Sequence, residues 1–343
     1  MMKTIVILFG GKSTEYSISL QSAYSVLTNI NHTKYKVLSL GITREGDWYL
    51  YTGKYENLLD DTWWKNKEDI QNVLVSQNKS DHALITESKK IPVDYALPIL
   101  HGINGEDGTV QGVFQIADIP VIGCDVLASS LCMDKERAHQ IVSCLGIPCA
   151  RSIVIHHINE LDKTSVLKYP VFVKPVHAGS SIGIHKIDKK EDLKEAVEDA
   201  FTIDKEVIIE EEVVGFEVGC SIIGIDTYTI GRVDEIELSQ GFFDFEEKYN
   251  LKTSTIHMPA RISEIDEKRI QETGLKIYKA LGCTGFARVD MFFTADKTIY
   301  FNEVNTIPGF TTHSRFPNMM KGIGLSFADM LEKIIGLYTN ETK

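Results

Sequence analysis

The run Arg288-Val289-Asp290-Met291-Phe292-Phe293 is followed shortly by Asn302-Glu303-Val304-Asn305-Thr306-Ile307-Pro308-Gly309. Both alternate polar with apolar residues, so each predicts a strand with one wet and one dry face. Side chains on a strand repeat every second residue, which puts Arg288 with Asp290 and Glu303 with Asn305. Paired as a hairpin, the two strands bring two carboxylates, an amide and a guanidinium into one cleft. Hard oxygen donors of this kind suit Mg²⁺, commonly held by one or two carboxylates together with substrate phosphates. An arginine beside them is placed to stabilise negative charge developing on a transferred group. The alternative is a plain hairpin whose polar face meets water.

A chain of 343 residues exceeds one ordinary core and predicts two or three domains. Residues 3–9 form a buried-strand run rich in β-branched side chains and ended by Gly10-Gly11. Ser13 or Thr14 is the expected cap of a following helix carrying Ile18, Ala23, Val26 and Leu27. With a second strand at 36–42 this is the start of an open α/β domain, extended by strands at 93–100 and 120–123 and ending near 125. Residues 126–214 read as a small α+β unit. It holds a helix at 134–144, strands at 169–175 and 182–187, an amphipathic helix at 189–203 and a strand at 206–210. The remainder, 215–343, holds strands at 218–225 and 228–237, a loop at 238–256, a helix at 264–281, the hairpin, and a terminal helix from about Phe327. Residues 60–90 are polar and irregular and yield no assignment.

Hydrophobic content of 43 % and charged content of 24 % match a globular chain. Lysine and arginine number 36 against 48 aspartates and glutamates, a net charge of −12. That balance argues against nucleic acid as a partner, because phosphate backbones are bound by basic patches. A single nucleotide needs only a local cluster of lysines and amides. The six cysteines lack a Cys-x-x-Cys pair, so neither a zinc site nor a disulfide framework is expected. No apolar run approaches the ~20 residues that span a bilayer, and the N-terminal run is too short for a signal-peptide core. A cytoplasmic protein without membrane contact is the expectation.

Gly11-Lys12-Ser13 mimics the end of a phosphate-binding loop, but the required first glycine falls on Val6. Glu15 then reads either as a first-turn acid facing the helix dipole or as a carboxylate that captures a substrate ammonium group. Gly179-Ser180-Ser181-Ile182-Gly183 satisfies the nucleophile-elbow pattern of serine hydrolases. That elbow needs a helix behind it, whereas residues 184–187 alternate like a strand. A hairpin whose amides and hydroxyls cover phosphates fits better. Lys174 lies on the preceding strand between apolar neighbours, and a lysine so placed implies an anionic partner. Three glycines within residues 101–108 mark a loop where backbone closely approaches a ligand or another segment. Lys135 opens a helix and faces either solvent or phosphate. Glu210, Glu211 and Glu212 read as a solvated strand end, with Glu217 beyond them able to accept ribose hydroxyls.

In this order the motifs resemble the D-alanine–D-alanine ligase family, ATP-grasp ligases that join a carboxylate to an amine. The anchors are Gly10-Gly11-x-Ser13-x-Glu15, His101-Gly102-x-x-Gly105-Glu106-Asp107-Gly108, Met133-Asp134-Lys135, Val173-Lys174-Pro175, the Gly179 to Gly183 hairpin, Glu246-Glu247-Lys248-Tyr249 and the opening strand pair. The resemblance implies an N-terminal open α/β (preATP-grasp) domain at 1–125. A two-part ATP-grasp module follows at 126–214 and 215–343, with 238–256 as its lid. It implies that Lys135 and Lys174 bind ATP phosphates and that Ser180 and Ser181 close over them. The backbone at Glu210, Glu211 and Val213 would take the adenine, and Glu217 the ribose. Asp290, Glu303 and Asn305 would hold two Mg²⁺ ions, with Mn²⁺ able to substitute. Glu15, with His101 nearby, would receive the first D-alanine, and Glu15, Ser180 and Tyr249 would form a hydrogen-bonded chain. Arg288 and the Gly309 amide would stabilise the oxyanion, while Ser314 and Lys248 would contact substrate. A homodimer is implied as well.

After Gly309-Phe310-Thr311-Thr312-His313-Ser314 the alanine-adding members carry an apolar Leu or Met, and this chain has Arg315. An arginine there can hydrogen-bond a hydroxyl that alanine lacks. In this the chain resembles the D-alanine–D-serine ligases of vancomycin resistance, and D-serine is the expected second substrate. D-alanine as second substrate, with Arg315 a surface arginine paired to a carboxylate, is the alternative. A regulatory module that holds ATP without chemistry would need neither Glu15 nor Arg288.

Overall fold

The computed structural model describes residues 2–179, 183–238 and 254–339. Strand Lys3–Gly10 is the centre of a five-stranded sheet, parallel to Tyr35–Ile42 on one side and Tyr95–Pro98 on the other. Ile5, Ile7 and Phe9 join one hydrophobic cluster with helix Tyr16–Asn29, while Val6 and Leu8 join another on the opposite face with Val110 and Phe114. Covering both faces explains why this strand is apolar throughout rather than alternating. The helix is capped at Glu15 rather than at Ser13 or Thr14, and Ser13 Oγ instead accepts a hydrogen bond from the Glu15 amide. Gly10 is required at the turn: it sits at φ +87°, and a Cβ there would lie 2.1 Å from the Ile42 carbonyl oxygen.

Strand pairing at 120–123 reduces to a bridge between Ala96 and Val121. Residues 60–90, unreadable by pattern, hold the edge strand Ile70–Asn72 and a small sheet of Leu74–Val75, Ala83–Ile85 and Lys90–Pro92. Strands this short carry too few residues to show a period.

A second, antiparallel sheet runs His185–Ile187, Val171–Pro175, Val207–Glu211, Ser152–Ile155, with helix Leu193–Ala200 packed against it. The third is built on the long antiparallel pair Gly215–Gly224 and Gly285–Thr294, extended by Ile299–Asn305 on one side and Asp234–Leu238 on the other. The expected strand at 228–237 is broken into Tyr228–Ile230 and Asp234–Leu238. Between them the Arg232 amide donates to the Met319 carbonyl instead of to a neighbouring strand. Helix Glu264–Ala280 covers the outer face of this sheet, burying Ile270 and Ile277 beside Val218 and Val289. The final helix, Phe327–Thr339, packs Met330, Leu331, Ile334 and Ile335 back into the N-terminal core.

Candidate active site

Two cavities meet at Glu217 and Glu303, which line both. The first, about 480 Å³, lies between the second and third sheets. On Val171–Pro175 the buried Val171 and Val173 point into the core, so alternation turns Phe172 and Lys174 toward the cavity. Glu210 pairs opposite Phe172 on the next strand, and its Oε2 takes the Lys174 ammonium at 2.6 Å. The anionic partner expected for Lys174 is therefore Glu210. Burial alone would lower the Lys174 pKa, but the Glu210 carboxylate outweighs it and holds the lysine charged. Burial likewise acts to raise Glu210, and Lys174 with His139 outweighs that, leaving its pKa below the usual carboxylate range.

Lys135 is the first residue of a helix capped by Asp134, whose Oδ1 accepts from the Arg137 amide at 2.9 Å. It is buried rather than solvent-facing, and its ammonium donates to the carbonyl of Ala178 at 2.5 Å. That carbonyl directly precedes Gly179, so this helix start is tied to the chain leading into the Gly179 to Gly183 motif. Glu211, Glu212 and Val213 line the same cavity, and the apolar Phe172, Ile184 and Phe301 supply a flat-ligand slot.

The second cavity, about 400 Å³, is walled by Glu15, His101, Arg288, Asp290, Asn305, Gly309, Ser314 and Arg315. Asp290 and Glu303 face each other across the hairpin, as do Arg288 and Asn305. Arg288 forks onto Asp290, Nε to Oδ1 at 2.8 Å and Nη2 to Oδ2 at 2.7 Å. Asn305 Nδ2 donates to Asp290 Oδ2 at 2.9 Å, with Glu303 Oε1 at 3.5 Å. Among the described residues no three His, Cys, Asp or Glu side chains gather as a metal site. The convergent donors are two carboxylates and an amide, with no thiol or imidazole. That set fits Mg²⁺ completed by phosphate oxygens and does not fit a closed site for a softer metal.

His101 is buried between helix Tyr16–Asn29 and the loop that follows Ile299–Asn305. Its Nδ1 lies 2.9 Å from the Ile307 carbonyl oxygen, an acceptor only, so Nδ1 carries the hydrogen. Nε2 then accepts from Ser22 Oγ at 3.0 Å, and Ser22 Oγ accepts from the Phe310 amide at 3.2 Å. Burial lowers the His101 pKa, consistent with this neutral ring. The relay pins the 307–310 loop, with Gly309 in it, to the N-terminal helix. Glu106 adds a second tie, accepting from the amides of Gly102 at 2.8 Å and Ile307 at 3.0 Å. Glu15 is buried beneath Gly102, where a Cβ would come within 2.5 Å of its Oε2.

Arg315 is no surface arginine. It is 8 % exposed and forks onto the fully buried Asp234, with Nε to Oδ2 and Nη2 to Oδ1 both at 2.8 Å. Its Nη1 donates to Glu217 Oε1 at 2.6 Å and lies 3.5 Å from Asp290 Oδ1. Glu217, expected at the ribose, thus also belongs to the wall of the second cavity. Ser314 Oγ accepts from the Thr311 amide at 3.1 Å and stands beside Gly309. Ser180, Ser181, Lys248 and Tyr249, with nearly all of the 238–256 lid, lie outside the described residues.

Pattern reading missed Asp234, Glu106, Ser22 and His139. Asp234 had one available signal: period 2 puts it on the face of Ile236, opposite the face that carries Glu235 and Glu237. Ser22 and His139 gain their meaning only from long-range partners, and Glu106 adds the distant Ile307 amide to a local bond from Gly102.

Known proteins show the same order of parts. The family model described as D-ala D-ala ligase N-terminus matches residues 4–124, and D-ala D-ala ligase C-terminus matches 141–336. The chain is 42 % identical to the vancomycin C-type resistance protein VanC1 of Enterococcus gallinarum, covering 98 % of each. It is 40 % identical to a D-alanine–D-alanine ligase of Caldicellulosiruptor bescii over 97 % of this chain and 94 % of that one. A crystal structure of the VanG D-Ala:D-Ser ligase of Enterococcus faecalis superposes with a TM-score of 0.94. It is 56 % identical and covers 99 % of this chain and 100 % of that one.

Proposed function

Because the chain belongs to the D-alanine–D-alanine ligase family of ATP-dependent ligases, we propose that it joins D-alanine to D-serine through an acyl phosphate. The product would enter peptidoglycan precursors and confer vancomycin resistance. The observation that carries the serine assignment is Arg315, buried at the wall of the second cavity and gripped by Asp234 and Glu217.

A carboxylate is a poor electrophile, so the γ-phosphoryl group of ATP must first be placed on D-alanine. That transfer is mainly positioning and charge neutralisation. Lys174 and Lys135 supply positive charge in the first cavity, and Glu210, Glu211 and Val213 form its far wall for adenine. Asp290, Glu303 and Asn305 would hold two Mg²⁺ ions, or Mn²⁺ in their place, which supply neutralisation of the phosphate oxygens. Glu15, beside His101, receives the ammonium of the first D-alanine. The amine of the second substrate then attacks the acyl carbon, and phosphate leaves. Arg288 uses Nε and Nη2 on Asp290, which aims the rest of its guanidinium at the oxyanion, with the Gly309 amide opposite. Ser314 and Lys248 hold the second carboxylate. Ser180, Ser181 and Tyr249 complete a lid that keeps water from the acyl phosphate.

Near Arg315 a serine hydroxyl meets a guanidinium donor and carboxylate acceptors, while the methyl of alanine meets none that it can use. Polar walls of this kind discriminate strongly between such substrates. D-alanine as second substrate is the competing reading. A product assay with D-alanine and D-serine in competition decides: mostly D-alanyl-D-serine supports the proposal, and mostly D-alanyl-D-alanine overturns it. Arg315→Leu is expected to move the product ratio toward D-alanine by about tenfold or more. An unchanged ratio removes Arg315 as the discriminator. The same reading expects a cytoplasmic homodimer, which light scattering of the purified protein tests.

A further inference from the structure

The first cavity contains a histidine that the reaction scheme does not use. His139 follows Lys135 by one helical turn, so the two project from the same face of helix Lys135–Ser143. Its side chain is 9 % exposed, and its ring stands edge-on to Phe301 with centroids 5.4 Å apart. Nε2 lies 3.0 Å from the Asn302 carbonyl oxygen. A carbonyl oxygen only accepts, so Nε2 carries a hydrogen. Nδ1 is buried without a hydrogen bond, 3.5 Å from Glu210 Oε1, and that oxygen is also buried without one. The other Glu210 oxygen takes Lys174 at 2.6 Å.

A neutral ring would set the Nδ1 lone pair against a carboxylate oxygen in a dry site, leaving two acceptors facing each other. With both nitrogens protonated, Nδ1–H faces the carboxylate oxygen at 3.5 Å as an opposite charge, and two acceptors no longer oppose each other. We propose that His139 is an imidazolium in the working enzyme and is a positioning residue that holds Glu210, freeing donors of Lys174 for the ATP phosphates. The inference rests on the assignment of ATP to this cavity. With Lys174 as its sole partner, Glu210 would compete with phosphate for the ammonium. A second cation on Oε1 relieves that competition, since lysine carries three donors. The other charged groups facing this corner are Lys135 from the same helix, and Glu217 and Glu303 from the third sheet.

The test is ATP saturation kinetics on the full chain for His139→Gln, His139→Lys and Lys174→Ala, with ¹⁵N NMR of the His139 ring in the unsubstituted protein. His139→Gln is expected to raise KM for ATP about tenfold, the loss of one opposite charge beside Glu210, with kcat changed by less than about twofold. His139→Lys, which keeps a cation there, is expected to restore KM to within about threefold of its original value. An unchanged KM in His139→Gln, or His139→Lys as impaired as His139→Gln, overturns the proposal. Two protonated ring nitrogens in the NMR spectrum support it, and one bare nitrogen overturns it whatever the variants do. Lys174→Ala separates the premises. If KM for ATP is unchanged there, the cavity is not the ATP site; if it rises while His139→Gln has no effect, only the role of His139 fails.

Discussion

Within the 480 Å³ cavity the Lys174–Glu210 pair comes from neighbouring strands of one sheet, whereas the residues of the 400 Å³ cavity are collected from distant stretches of chain. Lys174 and Glu210 sit on adjacent strands of one sheet, so backbone pairing alone brings them together. Glu15, His101, Arg288 and Arg315 meet only because the third sheet and the final helix dock on the N-terminal core. The Lys174–Glu210 pair is set by register and the second cavity by the packing of distant elements.

The largest expected effect comes from Glu303, one of the two residues common to both cavities. Glu303→Gln is expected to lower kcat about a thousandfold, because one carboxylate serves the phosphate side and the acyl side. D-alanine-dependent phosphate release reads it, and a loss below about tenfold would mean the cavities do not share a working wall. Next is Asp234→Ala, which takes the forked partner of the buried Arg315 guanidinium and leaves Glu217 as its hydrogen-bonded acid. A loss of about 3–5 kcal/mol in urea unfolding is expected, much of it recovered when Arg315→Leu is added. No recovery would show that Asp234 supports the fold independently of Arg315.

The smallest effect is a pH dependence at His177, two residues before Gly179. His177 lies 2.9 Å from Asp204 and 3.4 Å from Asp134, the cap of the Lys135 helix. Hydrogen bonds to Asp134 and Asp204 raise its pKa from 6.5 to about 9. A histidine held charged in this way stabilises the fold fully below pH 6.5, and that stabilisation is lost as pH climbs through about 9. The urea midpoint should therefore fall more steeply between pH 6.5 and 9 in the unsubstituted protein than in His177→Gln. Parallel curves would show that the latch contributes nothing.

The hairpin of Arg288, Asp290, Glu303 and Asn305 was legible because alternation with period 2 is a local property of the chain, and the observed register pairs these residues as expected. Lys174 was legible for the same reason, an ammonium among β-branched neighbours. The short strands between 70 and 92 and the break at Gly231 were not, since each depends on what packs beside it.

From residue order alone follow the kinds of element, the polar faces they carry, and the family whose motifs they match. Tertiary structure decided what those faces do. Arg315 is visible in the sequence as an exception, yet whether it is a surface charge or the wall of a cavity depends on Asp234, 81 positions away. His139 gives no signal until Asn302 and Glu210 close around its ring. Periodicity is written by neighbours a few residues apart, but a buried charge takes its meaning from partners that only the folded chain brings within hydrogen-bond reach.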